Sequence, residues 1–203
     1  MSDRVHYRDP VQLGVSAVRT EFVNPFVAAA LHVFRQELQE EPRRGPLRLE
    51  GSRVTPGEVT VIVGVAGDVE GLVLYGMDIA TAQRMVGAIL GISPLRVHDD
   101  LVESGAAEIG NMITGRASME LEKQGYSCEI TPPVVLLGRN ILISTVAFNR
   151  LEIPFDLSTG RVVLHVALRR RQGEGRKELA GGSAGNLLVN LRQWLPQEES
   201  QSR

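Results

Sequence analysis

Residues 104–115 read Ser-Gly-Ala-Ala-Glu-Ile-Gly-Asn-Met-Ile-Thr-Gly, and the fold and function of the chain are read outward from them. At about 100° and 1.5 Å per residue, a helix through this stretch brings Ser104, Glu108, Asn111 and Gly115 within an arc of roughly 60°. Val102, Gly105, Ala106, Ile109 and Ile113 fall on a different stripe. One face has apolar groups to bury, and the other presents a carboxylate beside a carboxamide. Gly115 stands a turn beyond Asn111, in a helix interior where glycine costs about 1 kcal/mol relative to alanine. Close approach by another body is a physical reason for a glycine there, so the face reads as a docking surface.

Glu-x-x-Asn by itself is an ordinary pattern on a solvated helix. The longer register, Ser-x-x-x-Glu-x-x-Asn-x-x-x-Gly, fixes four residue types on one face and is followed by Gly125 and by Pro132-Pro133. Upstream, Asn24-Pro25-Phe26 opens a first helical pattern, and Thr60 to Val65 with Gly71 to Tyr75 reads as a hairpin. Together these features resemble the CheC/CheX family, bacterial proteins that dephosphorylate the chemotaxis response regulator CheY. The resemblance covers roughly residues 20–170. The first helix and the single complete motif favour the CheX branch over CheC, whose members commonly carry the motif twice. Glu21 and Asn24 do repeat the Glu-x-x-Asn spacing. An N-cap asparagine before an N1 proline explains that pair structurally, and a cap is preferred here to a second catalytic site.

The resemblance implies an aspartyl-phosphate phosphatase acting on a phosphorylated CheY-like receiver. It assigns Asn111 to positioning the attacking water and Glu108 to engaging the receiver lysine that otherwise contacts the phosphoryl group. Ser104 and Gly115 form the rim of the partner-binding face. Magnesium belongs to the receiver's site, and no cofactor of the chain's own is expected. The chemistry suits these residue types. In a loose phosphoryl-transfer transition state, orientation of the water is the main assistance an outside protein can give. An amide offers donor and acceptor groups without bringing a negative charge toward the phosphoryl oxygens. The alternative function is a non-catalytic binding module, like the flagellar switch proteins that share this fold, or a regulatory dimer.

Composition narrows the field further. With 203 residues, 43% hydrophobic content and a net charge of −2, the chain can bury a core without metals or disulfides. Near-neutral charge and 4% aromatic content argue against nucleic acid as a partner. No apolar run reaches the ~20 residues of a membrane span, so no membrane insertion is expected and a cytoplasmic location is. Cys128 is the lone cysteine, and His6, His32, His98 and His165 are scattered without metal-ligand spacing. Packing is the expected role of Cys128 and His32. Arg169-Arg170-Arg171 reads as the solvated end of a strand, and Gly64, Gly67 and Gly71 as hairpin chemistry around Asp68 rather than a nucleotide loop.

Along the chain, residues 1–19 read as a flexible N-terminal arm. A helix runs from Pro25 to before Pro42, with a connector at residues 43–46 and a strand from Leu47 to Val54. The hairpin follows, then a helix capped by Asp78 and ending near Gly91, and the motif helix at about 99–124. Strands are expected at 129–131, 141–148, 151–155 and 161–168. The fold class is α+β, an antiparallel or mixed sheet with long helices packed on one face, containing a faint duplication of a helix-plus-hairpin unit. Open strand edges and the resemblance both point to a homodimer. The domain is expected over residues 20–171. Beyond it, 172–203 reads as a glycine-rich linker and a short C-terminal amphipathic helix around Leu187, Leu188, Leu191 and Leu195. Limited proteolysis should cut first within residues 172–185; protection there would mean that the tail is integrated into the core.

Overall fold

The computed structural model describes residues 19–50, 54–92, 100–143 and 150–171. The arm before Arg19, the linker and the C-terminal leucines of the sequence reading lie outside these residues. Among the described residues three helices accompany eight strands: α1 (Thr20–Leu38), β1 (Arg43–Arg44), β2 (Arg48–Glu50), β3 (Val59–Gly67), β4 (Val69–Met77), α2 (Ile79–Leu90), α3 (Asp100–Lys123), β5 (Cys128–Ile130), β6 (Val134–Leu137), β7 (Arg150–Leu157) and β8 (Gly160–Arg170). All strand pairs are antiparallel, in the order β1-β7-β8-β4-β3-β5, with β2 also on β7 and β6 also on β3.

That order is a pseudo-twofold arrangement. β4 and β8 pair at the centre, from Val69↔Arg170 to Met77↔Val162. In sequence, α1 precedes two short strands and the hairpin β3–β4, and α3 precedes two short strands and the hairpin β7–β8. Each half lends its short strands to the other half's hairpin: β1 and β2 pair with β7, and β5 and β6 pair with β3. The helix-plus-hairpin duplication that is faint in the sequence is thus explicit in the pairing.

Strand alternation sets the core. Val59, Val61, Val63 and Val65 on β3, with Val73, Tyr75 and Met77 on β4 and Val162, Leu164, Val166 and Leu168 on β8, are buried together with helix residues such as Phe26, Met85 and Ile113. These are period-two positions, so the helices share one face of the sheet. Burial of such side chains is worth about 1.5–3 kcal/mol each, against the entropy of ordering them.

Local chemistry explains most element ends. Asp78 caps α2 by accepting from the Thr81 amide at 2.5 Å. Gly91 (φ 67°) ends α2 and Gly125 (φ 90°) follows α3, each letting the next amide reach back to close the last turn, Ile92 to Gly87 and Tyr126 to Leu121. Asp68 turns the β3–β4 hairpin, as the sequence indicates, and its carboxylate accepts from the Ser127 amide at 2.9 Å, tying that turn to the exit of α3.

Several expectations are corrected. α1 begins at Thr20, not Pro25; its N-cap is Arg19, and Pro25 lies inside the helix. Asn24 is therefore not a cap. An interior proline costs a helix roughly 3 kcal/mol, but the turn ahead of it carries Phe22 and Val23, both buried, with the Phe22 ring edge-on to Tyr126 at 5.2 Å. Tertiary burial outweighs the local breaker. The expected strand 47–54 is regular only at Arg48–Glu50, and Val54 makes an isolated bridge to Leu142. Residues 144–148 of the expected strand 141–148 lie outside the described set. The strands β1 and β6 were not anticipated: two residues are too few to show a period, and β6 follows two prolines and is an edge strand with little burial contrast.

Gly110 permits the closest helix-to-sheet contact. A Cβ there would come within 2.8 Å of Val61 Cγ1 and 3.2 Å of the Tyr75 ring. Gly110→Ala should therefore lower stability by about 1–3 kcal/mol, the usual cost of overpacking, despite alanine's better helix propensity. Chemical denaturation measures this, and an unchanged or raised midpoint would contradict the packing account.

Candidate functional site

α3 is held at a fixed rotation by its buried side. Val102, Ala106, Ile109, Ile113, Ala117 and Leu121 face the core. Three polar bonds act beside them. The Tyr75 hydroxyl and Thr114 Oγ1 lie 2.7 Å apart, Thr114 donates to the Gly110 carbonyl at 2.8 Å, and Ser118 donates to the Cys128 carbonyl at 3.1 Å. Burial pushes the Tyr75 hydroxyl above its ordinary range, so it stays protonated as a hydrogen-bonding group. A helix pinned on that side must show its other side outward.

The outward side is the predicted one. Ser104 and Glu108 are exposed, and Asn111 and Gly115 are half-buried. Among the described residues, neither the Glu108 carboxylate nor the Asn111 carboxamide has a hydrogen-bonding or ionic partner. A carboxylate and an amide one turn apart, both uncommitted, can meet a cation and a water on an incoming surface.

Gly115 differs from the other glycines of its helix. Gly105 faces Val86, where an added Cβ would meet a methyl carbon at 2.6 Å, and Gly110 faces the sheet. At Gly115 a Cβ would meet only Ile130 Cδ1, at 3.7 Å, an ordinary contact. Internal packing does not require this glycine.

The sequence reading missed an apolar flank. Leu101 is 46% and Met119 60% exposed, and Met112 is half-buried. At 100° per residue all three lie about 60–80° round the helix from Ser104. Large apolar groups left in water beside unpartnered polar ones suit a protein surface better than a small-molecule pocket. An exposed methionine in a helical pattern was the available signal. Beyond the same helix, a groove of ≈ 560 Å³ lies between α1 and α3, with Asn24, Ala28 and His32 on one wall and Arg116 and Met119 on the other.

The remaining candidates settle as structural features. Cys128 is buried, and burial pushes its thiol up from the ordinary range. Arg169 pairs with Glu70 at 2.8 Å, and Arg170 lies over the Tyr126 ring. Among the described residues no group of three or more His, Cys, Asp or Glu side chains is placed to hold a metal ion, and no helix is long and apolar enough to cross a membrane.

Comparison with known proteins gives a consistent picture. The family model described as chemotaxis phosphatase CheX matches residues 59–156, which include all of α3. The CheY-P phosphatase CheX of Thermotoga maritima is 31% identical over 123 residues, covering 61% of this chain and 79% of that protein. In the CheX–CheY–BeF3–Mg2+ complex from Borrelia burgdorferi, a chain 32% identical superposes with a TM-score of 0.64, over 75% of this chain and 100% of its own length. The chemotaxis protein CheX from Desulfovibrio desulfuricans has a TM-score of 0.66 at 24% identity, over 74% and 99% of the two chains, and shares the fold.

Because the polar pair has no structural partner, Glu108→Ala and Asn111→Ala should each change unfolding free energy by no more than about 0.5 kcal/mol. Gly115→Ala should raise it, by up to about 1 kcal/mol, through helix propensity alone. Thermal and denaturant unfolding of the three variants checks this; a loss beyond 1–2 kcal/mol at any of them would give that residue a structural role.

Proposed function

The chain belongs to the CheX family, and from that premise we propose that it hydrolyses the aspartyl phosphate of a CheY-like response regulator on the exposed face of α3. The observation that carries the assignment of residues is the uncommitted pair, Glu108 and Asn111, on a helix whose rotation the core fixes. The receiver brings the acyl phosphate and its magnesium ion. This chain brings alignment.

Asn111 holds a water in line with the scissile bond, its amide oxygen accepting from the water and its NH2 free to donate. The water oxygen bonds to phosphorus as the bond from phosphorus to the aspartate oxygen breaks. The electron pair leaves with the carboxylate, and both water protons stay on the released phosphate. Glu108 pairs with the receiver's lysine and so draws away a cation that otherwise neutralises the phosphoryl group. Its carboxylate serves docking, since a general base pointed at the phosphoryl oxygens would be repelled. Ser104 and Gly115 form the rim, and Leu101, Met112 and Met119 supply apolar contact. The missing side chain at Gly115 lets the receiver approach the helix backbone.

The two polar residues should separate kinetically. Asn111→Ala should lose nearly all turnover in a complex that still forms, whereas Glu108→Ala should mainly weaken binding. Phosphate release from a receiver phosphorylated in vitro, followed as a function of enzyme concentration, distinguishes them. A parent-like rate for Asn111→Ala with every receiver tested would sink the catalytic assignment and favour the binding-module alternative.

The catalytic domain is assigned to residues 20–171, acting in the cytoplasm as a homodimer. Among the described residues the sheet ends in short strands whose outer edges are unpaired, and β6 leaves Val134 56% and Leu137 41% exposed. Sedimentation or light scattering at micromolar concentration should give twice the 22.2 kDa chain mass; a monomer would remove the dimer and leave the α3 chemistry standing.

A further inference from the structure

The surface around Glu108 and Asn111 is lopsided. At 100° per residue, Thr114 and Ser118 lie about 40–80° round α3 from Ser104 in one direction, and both are buried. A partner gains little contact on that side. In the other direction Leu101, Met112 and Met119 come first, with Arg116 about 120° round. The accessible surface therefore runs from the polar pair across this apolar flank to the groove of ≈ 560 Å³, where Ala28 and His32 of α1 face Arg116 and Met119.

Charge on α3 is distributed unevenly too. Its acidic residues are Asp100, Glu103, Glu108, Glu120 and Glu122, and its cations are Arg116 and Lys123. Lys123 is spent on Glu120 at 3.2 Å, and across the groove Arg35 is held by Glu41 at 2.5 Å. Arg116 is exposed and, among the described residues, has no hydrogen-bonding or ionic partner. Among those residues it is the one guanidinium or ammonium group that the groove leaves uncommitted.

A receiver carrying an aspartyl phosphate is anionic where it docks, because the phosphoryl group is negative and its magnesium ion is held through carboxylates. Glu108 meets that receiver's lysine, but the rest of an acidic rim is repelled by an otherwise acidic helix. Arg116 answers this. It lies five residues beyond Asn111, about 7.5 Å along the helix axis, and a planar guanidinium takes a carboxylate in two parallel hydrogen bonds. The geometry points to a docking footprint that extends off α3 into the α1–α3 groove, where Arg116 pairs with a carboxylate on the rim of the phosphorylated receiver and selects for receivers that carry one. The inference rests on the reading of α3 as the receiver's docking face. Arg116 touches no reacting atom, so it is a positioning and specificity residue. Met119 and Ala28 flank the pair and exclude water from it.

The test titrates the full chain with a CheY-like receiver loaded with beryllofluoride and magnesium, at low and high salt, and follows turnover of the acyl phosphate in parallel. Arg116→Ala should weaken binding by about three- to tenfold at low salt, raise KM in step and leave kcat unchanged. Arg116→Lys, which keeps the charge and loses the fork, should recover part of the loss. The parent's affinity should fall more steeply with salt than that of Arg116→Ala. Ala28→Trp, which fills the groove from the α1 wall, should weaken binding with Arg116 still in place. Melting temperature establishes that each variant is folded. Affinity that does not fall in either Arg116→Ala or Ala28→Trp, or a loss confined to kcat, overturns the groove contact. A parent-like rate in Asn111→Ala would instead overturn the catalytic assignment and leave the affinity results standing, so the two failures are distinguishable.

Discussion

The contact between the backbone of α3 and the sheet at Gly110 is the constraint on which the site depends. With no side chain at that position, the helix settles onto Val61 and the Tyr75 ring, and the Tyr75–Thr114 hydrogen bond forms in the space left beside it. A close-packed contact tolerates little shift in either direction. It therefore sets the helix's rotation as well as its distance. Turning α3 by a third of a turn would bury Glu108 or Asn111 without partners, at a cost of several kcal/mol. Exposure of the Glu108–Asn111 face, on which the proposed function rests, is a consequence of packing on the hidden one.

Three glycines on one helix show how a residue type can carry different physics. Gly105 admits Val86 of α2, Gly110 admits the sheet, and Gly115 has among the described residues only Ile130 near it, at ordinary contact distance. The first two are explained by the fold. The third is left for something outside it, beside the two polar groups that the fold does not use. A partner surface accounts for all three unmet features at once, and the CheX relationship supplies the kind of partner.

How legible this was in the sequence followed from how local each determinant is. Asp78, Gly91 and the Asp68 turn act within a few residues, and α2 and the β3–β4 hairpin were placed closely from them. The motif face of α3 was readable because a 24-residue helix gives the 3.6-residue period room to repeat. The start of α1 was not, because Pro25 speaks for a local break while the burial of Phe22 against Tyr126 is a contact between residues about a hundred positions apart in sequence. β6 escaped for a related reason: its pairing with β3 is long-range, and its side chains are too evenly half-exposed to alternate. The cap reading of Asn24 failed with the helix boundary, although its Glu-x-x-Asn spacing with Glu21 was plain in the sequence. For the proposed site, the residue types and their register stand in the sequence, but the lack of partners around Glu108 and Asn111 among the described residues, the space at Gly115 and the apolar flank of Leu101 and Met119 were three-dimensional facts.

The central claim is that Asn111 enters a receiver's active site and holds the water that attacks phosphorus. A crystal structure of this chain bound to a CheY-like receiver loaded with beryllofluoride and magnesium tests it most directly. The account predicts the Asn111 carboxamide within about 3 Å of a water, or of the position one would occupy, in line with the bond to the receiver's aspartate, with Glu108 on the receiver's lysine. A complex in which the receiver sits elsewhere and the α3 face remains in solvent would contradict it.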